Sequence, residues 1–194
     1  MSEELQKRIH DLELREALLQ RELDGSRKLA EQNYTLYAEA ARQHADMMNL
    51  YVAAHRLHES LERTDVLAAI QEIVINLIGS EELAVFELSE NGEALRLIDS
   101  FGIETAPWKE LPLGTGPLGE SIRAGRAYFA KGQDGDRLTA CVPLMAGEKA
   151  VGLVAVFSLL PQKPEYQQVD HELFDVLRAH GGSALFCTRL KETR

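Results

Sequence analysis

One pattern over residues 2–62 constrains this chain more than anything else in it. Starting at Leu5 and stepping four and three residues in turn gives Leu5, Ile9, Leu12, Glu16, Leu19, Leu23, Ser26, Ala30, Asn33, Tyr37, Ala40, His44, Met47, Tyr51, Ala54, His58 and Leu61. Twelve of these seventeen are apolar, and the register never slips. A sustained 3.5-residue repeat marks a coiled coil. A surface helix of 3.6-residue period would drift off it. The segment has no Pro and one Gly, and it is rich in Leu, Ala, Glu, Arg and Gln, all good helix formers. Unbroken, about 60 residues at 1.5 Å each would span roughly 90 Å. A lone helix would leave its seam in water, so the pattern predicts a second copy of the chain. Leu5, Ile9, Leu12, Leu19, Leu23, Tyr37, Met47, Tyr51, Ala54 and Leu61 would form the interface. A kink or local fraying is expected at Gly25-Ser26, where the glycine costs about 1 kcal/mol relative to alanine. Beyond it the seam carries Ala, Asn, Tyr, His and Met, which suit a bundle of more than two helices. Asn33, His44 and His58 read as polar residues that set register; for the two histidines a pH switch is the alternative.

The remaining residues, 63–194, suffice for one compact domain. Net charge is −10 over 194 residues, with 8 basic and 12 acidic residues in 1–62 and 13 and 19 in 63–194. The excess is therefore spread over both parts. It argues against nucleic acid as a partner, since such binders neutralise phosphates with clustered Lys and Arg. It equally disfavours an anionic membrane surface. No apolar run approaches the ~18–20 residues of a membrane span, and the charged start MSEELQKRIHDLE does not resemble a secretory signal. Two cysteines, Cys141 and Cys187, are too few for a disulfide scaffold, and both are expected to be free and buried. A cytoplasmic protein follows from these readings.

Within 63–194, Thr64-Asp65 is a helix N-cap signal before VLAAIQEIVINLIG, a helix that should stop at Gly79. ELAVFELS and ALRLIDSFG flank Asn91-Gly92 as a hairpin. A long loop, IETAPWKELPLGTGPLG, leads to a short helix, LGESIRAG, and AYFA is a brief strand. QDGDR is a polar connection. LTACVPLMA and KAVGLVAVFSLL form a second hairpin around Gly147-Glu148, and VDHELFDVLRAHGGSALFCTRL is a closing helix. That order is α+β: an antiparallel sheet with flanking helices.

Three stretches carry a resemblance to a known family. LPLGTGPLGESIRAGRAYF, LTACVPLMAGEKAVGLVAVFS and YQQVDHELFDVLRAHGGSALFCTRL resemble, in that order, the glycine-rich loop and short helix, the two central strands and the closing helix of the GAF domain, a small-molecule sensor module of bacterial signalling proteins. The resemblance covers roughly residues 64–190. It implies a sheet with helices on one face and a pocket on the other, beneath the short helix. It also implies ligands such as cyclic nucleotides, bilins, haem or small metabolites, or no ligand. Phe101, Trp108, Leu118 and Ile122 would wall such a pocket, with Ser121 and Tyr128 as polar contacts and Gly114, Gly116 and Gly119 bringing backbone N–H groups close. The alternative is that these side chains simply cover the second face of the sheet. The cyclic-nucleotide pattern of the family survives only as Lys163 and Asp170. No cysteine stands where a bilin or a sulfoxide reductase of this family needs one. The sequence names no cofactor.

Other chemistry is sparse. Gly114–Gly119 spells G-x-G-x-x-G but lacks a surrounding βαβ unit. His55 and His58 could share a metal, without a third ligand nearby. No acid–base pair or G-x-S-x-G nucleophile is legible, so the chain is expected not to be an enzyme. Glu81, Glu82, Glu87, Glu90 and Glu93 read as a solvated edge, or as a dock for a basic partner. Gly181-Gly182 would cost about 2 kcal/mol within a helix, which predicts close helix approach. Gly181, Gly182 and Leu185 are accordingly added to the dimer interface, in a bundle where Tyr51, Ala54, Leu57 and Leu61 meet Leu177, Ala184 and Leu185. The functional expectation is a dimeric, non-catalytic regulatory protein that senses a small molecule or protein partner and relays through its helices. A ligand-free scaffold or adaptor is the alternative.

Overall fold

A computed structural model describes residues 2–114, 116–130 and 138–192. The expected QDGDR connection lies outside the described residues. Contacts divide the chain into two compact units, Met1–Met47 and Met48–Arg194.

The first unit is helix alone. Helix α1 (Ser2–His58) begins in it and remains hydrogen-bonded through Gly25 and Ser26. The expected fraying is absent, because one glycine is a small penalty inside a helix this long. Leu5, Ile9, Leu12, Leu19, Leu23 and Tyr37 are all exposed in the single chain.

The second unit opens with the last turns of α1. Leu50, Ala53 and Leu57 pack into its main core, so the division falls at 47/48 instead of the expected 62/63. Helix α2 (Arg63–Glu72) follows and continues through a π-helical turn, Ile73–Ile78, to Gly79. Strands β1 (Glu82–Leu88) and β2 (Ala94–Phe101) make the first hairpin. A 3-10 turn at Ala106–Trp108 and a short strand β3 (Glu110–Pro112) lie in the expected loop. Then come helix α3 (Pro117–Ala124), β4 (Tyr128–Phe129), β5 (Ala140–Ala146) and β6 (Lys149–Ser158). The expected closing helix is α4 (Gln168–Val176), a π-helical segment Leu177–Gly181, and α5 (Gly182–Glu192).

The six strands form one antiparallel sheet in the order β3-β2-β1-β6-β5-β4. Strand alternation sends successive side chains to opposite faces. Leu83, Val85, Val142, Leu144, Val154 and Val156 join one core cluster with residues of α1, α2, α4 and α5. Ala84, Phe86, Cys141, Leu153, Ala155 and Phe157 join a second cluster with α3. The sheet is therefore covered on both faces, by four helices on one and by α3 with the segment before it on the other.

The glycine pair in the closing helix serves this packing. A Cβ on Gly182 would stand 2.1 Å from the Met145 nitrogen and 2.3 Å from its oxygen. The helix is pressed against the backbone of β5, and only glycine fits. Leu177, Ala184 and Leu185 are buried in the same cluster. This overturns the placement of Gly181, Gly182 and Leu185 in a dimer interface: their close partner is the strand of their own chain. Leu57 is likewise internal. Cys187, expected to be buried, is exposed on α5.

Candidate functional site

The side chains proposed for the pocket largely converge. Trp108, Leu118 and Tyr128 pack against the cluster containing Ile122, on the second face of the sheet. The Trp108 ring lies 4.8 Å from that of Phe157, tilted by 54°. Ser121 is buried, and its hydroxyl donates to the Arg126 carbonyl at 2.7 Å. That bond fixes the end of α3 and engages the hydroxyl that was expected to contact a ligand. Phe101 does not join them. It sits at the exposed end of β2, beside a cleft of about 370 Å³ with Glu81, Glu82 and Leu159–Pro161. The reason is register: Phe101 pairs with Leu83 at the start of β1, near the sheet's opposite end from the β1–β2 turn.

The glycine-rich loop folds onto α3. A Cβ on Gly119 would meet the Gly114 carbonyl oxygen at 2.1 Å, and the Arg123 guanidinium donates to that same oxygen at 3.0 Å. Gly114 and Gly119 thus serve a close loop-to-helix contact within the chain. Cys141 lies under this cover, and burial pushes its thiol up to about 11. A thiol so far from ionising is a poor nucleophile at neutral pH.

Two depressions that sequence reasoning missed adjoin the β1–β2 turn. The first, about 560 Å³, is lined by Arg63, Arg96 and Arg189 together with Glu87, Glu90 and Glu192. The second, about 550 Å³, takes in Ile122, Lys149, Val151 and Phe186. They share Leu88–Asn91 and Arg189. Arg63 grips Glu87 with two donors, at 2.8 and 3.3 Å, and this hydrogen bonding raises the pKa of its guanidinium. Arg189 pairs with Glu90 at 3.1 Å. Two carboxylates of the expected solvated edge are therefore held by arginines of the helical side. No short-range pattern links residues 63, 87 and 189, so only the fold reveals the meeting.

Lys163 and Asp170 form an ion pair. Asp170 is fully buried. The Lys163 ammonium donates to it at 2.6 Å and to the Ile78 carbonyl at 2.5 Å, and the Gln167 N–H donates to its other oxygen at 2.7 Å. The set ties the loop after β6 to the end of the π-helical turn and to the start of α4. His55 stacks near Tyr51, while His58 reaches across to His180. No group of three metal-ligating side chains occurs among the described residues, and no described helix is long and apolar enough to cross a membrane.

No family model and no curated protein matches the sequence. Solved structures do match the fold. The GAF domain of an Acinetobacter phosphoenolpyruvate-protein phosphotransferase superposes with a TM-score of 0.63 at 16% identity, over 77% of this chain and 98% of that one. A methyl-accepting chemotaxis protein, residues 122 to 287, gives 0.57 at 16% identity over 73% and 99%. The free methionine-R-sulfoxide reductase of Neisseria meningitidis, in complex with its substrate, gives 0.59 at 15% identity over 73% and 89%. The GAF fold expected from the three sequence stretches is the fold of this chain.

Proposed function

We propose that this chain is a non-catalytic regulatory GAF protein that works as a homodimer and passes a signal through its helices. The observation that carries the reading is the free seam of α1. Leu12 is 63% exposed and Leu19 59%, and with Leu23 they line a single apolar stripe. Apolar side chains at a coiled-coil spacing are stable only when a second helix covers them. Farther along, Met47 and Tyr51 continue the exposed seam, with Ala54 half-buried and Leu61 exposed. On α5, Phe186 and Leu190 are exposed. We place these two residues, instead of Gly181, Gly182 and Leu185, in the contribution of the closing helix to the dimer.

The input would be a small molecule or a protein at the domain, and the output a change in helix packing read by a partner protein. Non-catalytic action agrees with the thiols: Cys141 is buried and hard to ionise, and Cys187 lies on the helical side, away from α3. The alternative, a ligand-free scaffold, draws support from Trp108 lying on Phe157 over the second face of the sheet.

Light scattering on the full chain tests the dimer. The expected mass is twice 21.6 kDa, and the double variant Leu12→Glu/Leu19→Glu should return it to a single chain. A wild-type mass of one chain at micromolar concentration would overturn the reading. Native mass spectrometry then separates sensor from scaffold: a copurified small molecule supports the first, and a bare dimer the second.

A further inference from the structure

Two histidines 122 residues apart in sequence face each other where α1 ends. His58 Nε2 and His180 Nδ1 lie 2.9 Å apart. Their ring centroids are 5.1 Å apart and the planes nearly perpendicular, at 82°. The centroid separation is close to the N···N distance plus the two ring radii. The nitrogens therefore point straight at one another, as in a linear N–H···N hydrogen bond. Lone pairs converging on a shared metal would bring the centroids closer together.

This bond joins the end of α1 to the closing helix. His58 is the last residue of α1. His180 lies in the π-helical segment just before Gly181-Gly182, the point where the closing helix presses on the backbone of β5. From the geometry we infer that the His58–His180 pair is a proton-sensitive clasp between the end of α1 and the closing helix. The bond needs one imidazole to donate and the other to accept. A neutral pair satisfies this, and so does a singly protonated one. A doubly protonated pair has two donors, no acceptor and two like charges at contact, so the clasp closes at higher pH and opens as pH falls.

The neighbouring charges do not supply a competing switch in this range. On α1, Arg56 pairs with Glu59 and with Glu72 of α2. Glu62, before α2, pairs with Lys191 of α5, and Asp175 of α4 with Arg178. Arginine, lysine and carboxylate side chains keep their charges between about pH 8 and pH 5, whereas imidazoles change theirs. His55 neighbours Tyr51 on α1, and His171 of α4 packs on Phe129. Because both histidines belong to one chain, the inference does not rest on the dimer or on any ligand.

Amide hydrogen exchange of residues 48–58, corrected for its intrinsic pH dependence, reads the clasp directly. Between about pH 7.5 and pH 5 the wild-type segment should lose protection about fivefold, the effect of one hydrogen bond. His58→Ala and His180→Ala, which remove the donor and acceptor altogether, should each show low protection at both pH values, while His55→Ala should respond as wild type does. Circular dichroism checks that the variants fold, which is expected for changes at exposed side chains. A second readout is the pH titration of the imidazole NMR signals, in which the His58 and His180 curves should each change shape when the other is replaced. A wild-type segment with the same protection at both pH values would overturn the inference. So would variants that keep the wild-type pH response.

Discussion

Gly182 shows how far one hydrogen in place of a methyl can decide a fold. A Cβ there would sit 2.1 Å from the backbone nitrogen of Met145 and 2.6 Å from the carbonyl carbon of Leu144. Alanine would gain about 1 kcal/mol of helix propensity, but main-chain atoms of a central strand cannot yield as a flexible side chain can. Gly182→Ala should therefore lose about 3 kcal/mol net. Gly25→Ala, with nothing within 4 Å of its Cβ, should gain up to about 1 kcal/mol. Urea denaturation of both variants checks the contrast; equal effects would refute it. The sequence showed that the paired glycines need compensation, but not whether the compensating surface was another helix or a strand. The cysteines divide in the same way. An aromatic disulfide reagent at neutral pH should label one thiol per chain, Cys187, and reach Cys141 only on unfolding. Burial pushes Cys141 from 9.0 to about 11 and Tyr166 from 10.0 to about 12. The unfolded chain releases these protons first, so it binds fewer of them in that interval. Stability should consequently be intact below about pH 9 and fall as pH rises from about 9 to about 12, which denaturation midpoints at stepped pH would show.

Among the elements, α1 best separates what periodicity reveals from what it conceals. The 3.5-residue repeat was fully legible, and the helix lies where the repeat does. The repeat could not show that Leu50, Ala53 and Leu57 form another apolar face, displaced from the seam by roughly 100° at 100° per residue. Leu50 and Ala53 read as background because the seam positions beside them were already apolar, whereas Leu57 was expected to meet Leu177, Ala184 and Leu185 in a dimer and joins their cluster within its own chain. Leu50, Ala53 and Leu57 anchor the end of α1 in the core of the second unit, while Tyr51 on the seam stays 65% exposed. Leu57→Ala should accordingly cost about 2–5 kcal/mol of stability. Tyr51→Ala should leave the midpoint within about 0.5 kcal/mol at concentrations where the chain is monomeric. If Tyr51→Ala proved as damaging as Leu57→Ala, the two-face description would be wrong. The hairpins were legible for a related reason: period-two alternation and the Asn91-Gly92 turn are local signals. Strand β3 was not, because three residues ending in Pro112 carry no period. The two π-helical turns were hidden as well, since a one-residue bulge in a helix leaves the apolar pattern almost unchanged.

At the scale of the molecule, the sheet is covered unequally on its two faces, and this sets where it should open first. The helical face is held by four helices, by the buried Lys163–Asp170 pair and by Gly182 against β5. The other face is covered by an eight-residue helix and the segment before it, from Ile103 to Leu113. The GAF-like order of elements was legible from three short stretches because each carries turn glycines or strand periodicity. The candidate site was legible only in part, for residue type alone does not reveal whether Trp108 walls a cavity or packs, tilted, against Phe157. Segments with few buried contacts open locally, at a fraction of the global free energy. Amides of residues 103–114 and 116–124 should therefore exchange through local opening, at least about tenfold faster than those of residues 169–188. Only the latter should slow in step with global stability when a stabilising osmolyte such as sucrose is added. A bound small molecule beneath α3 would abolish that difference by protecting residues 103–114 and 116–124 selectively, and its removal by refolding from denaturant would restore it. Equal protection of both faces in the refolded protein would show that α3 and its loop belong to the cooperative core, and that the two faces of the sheet unfold as one.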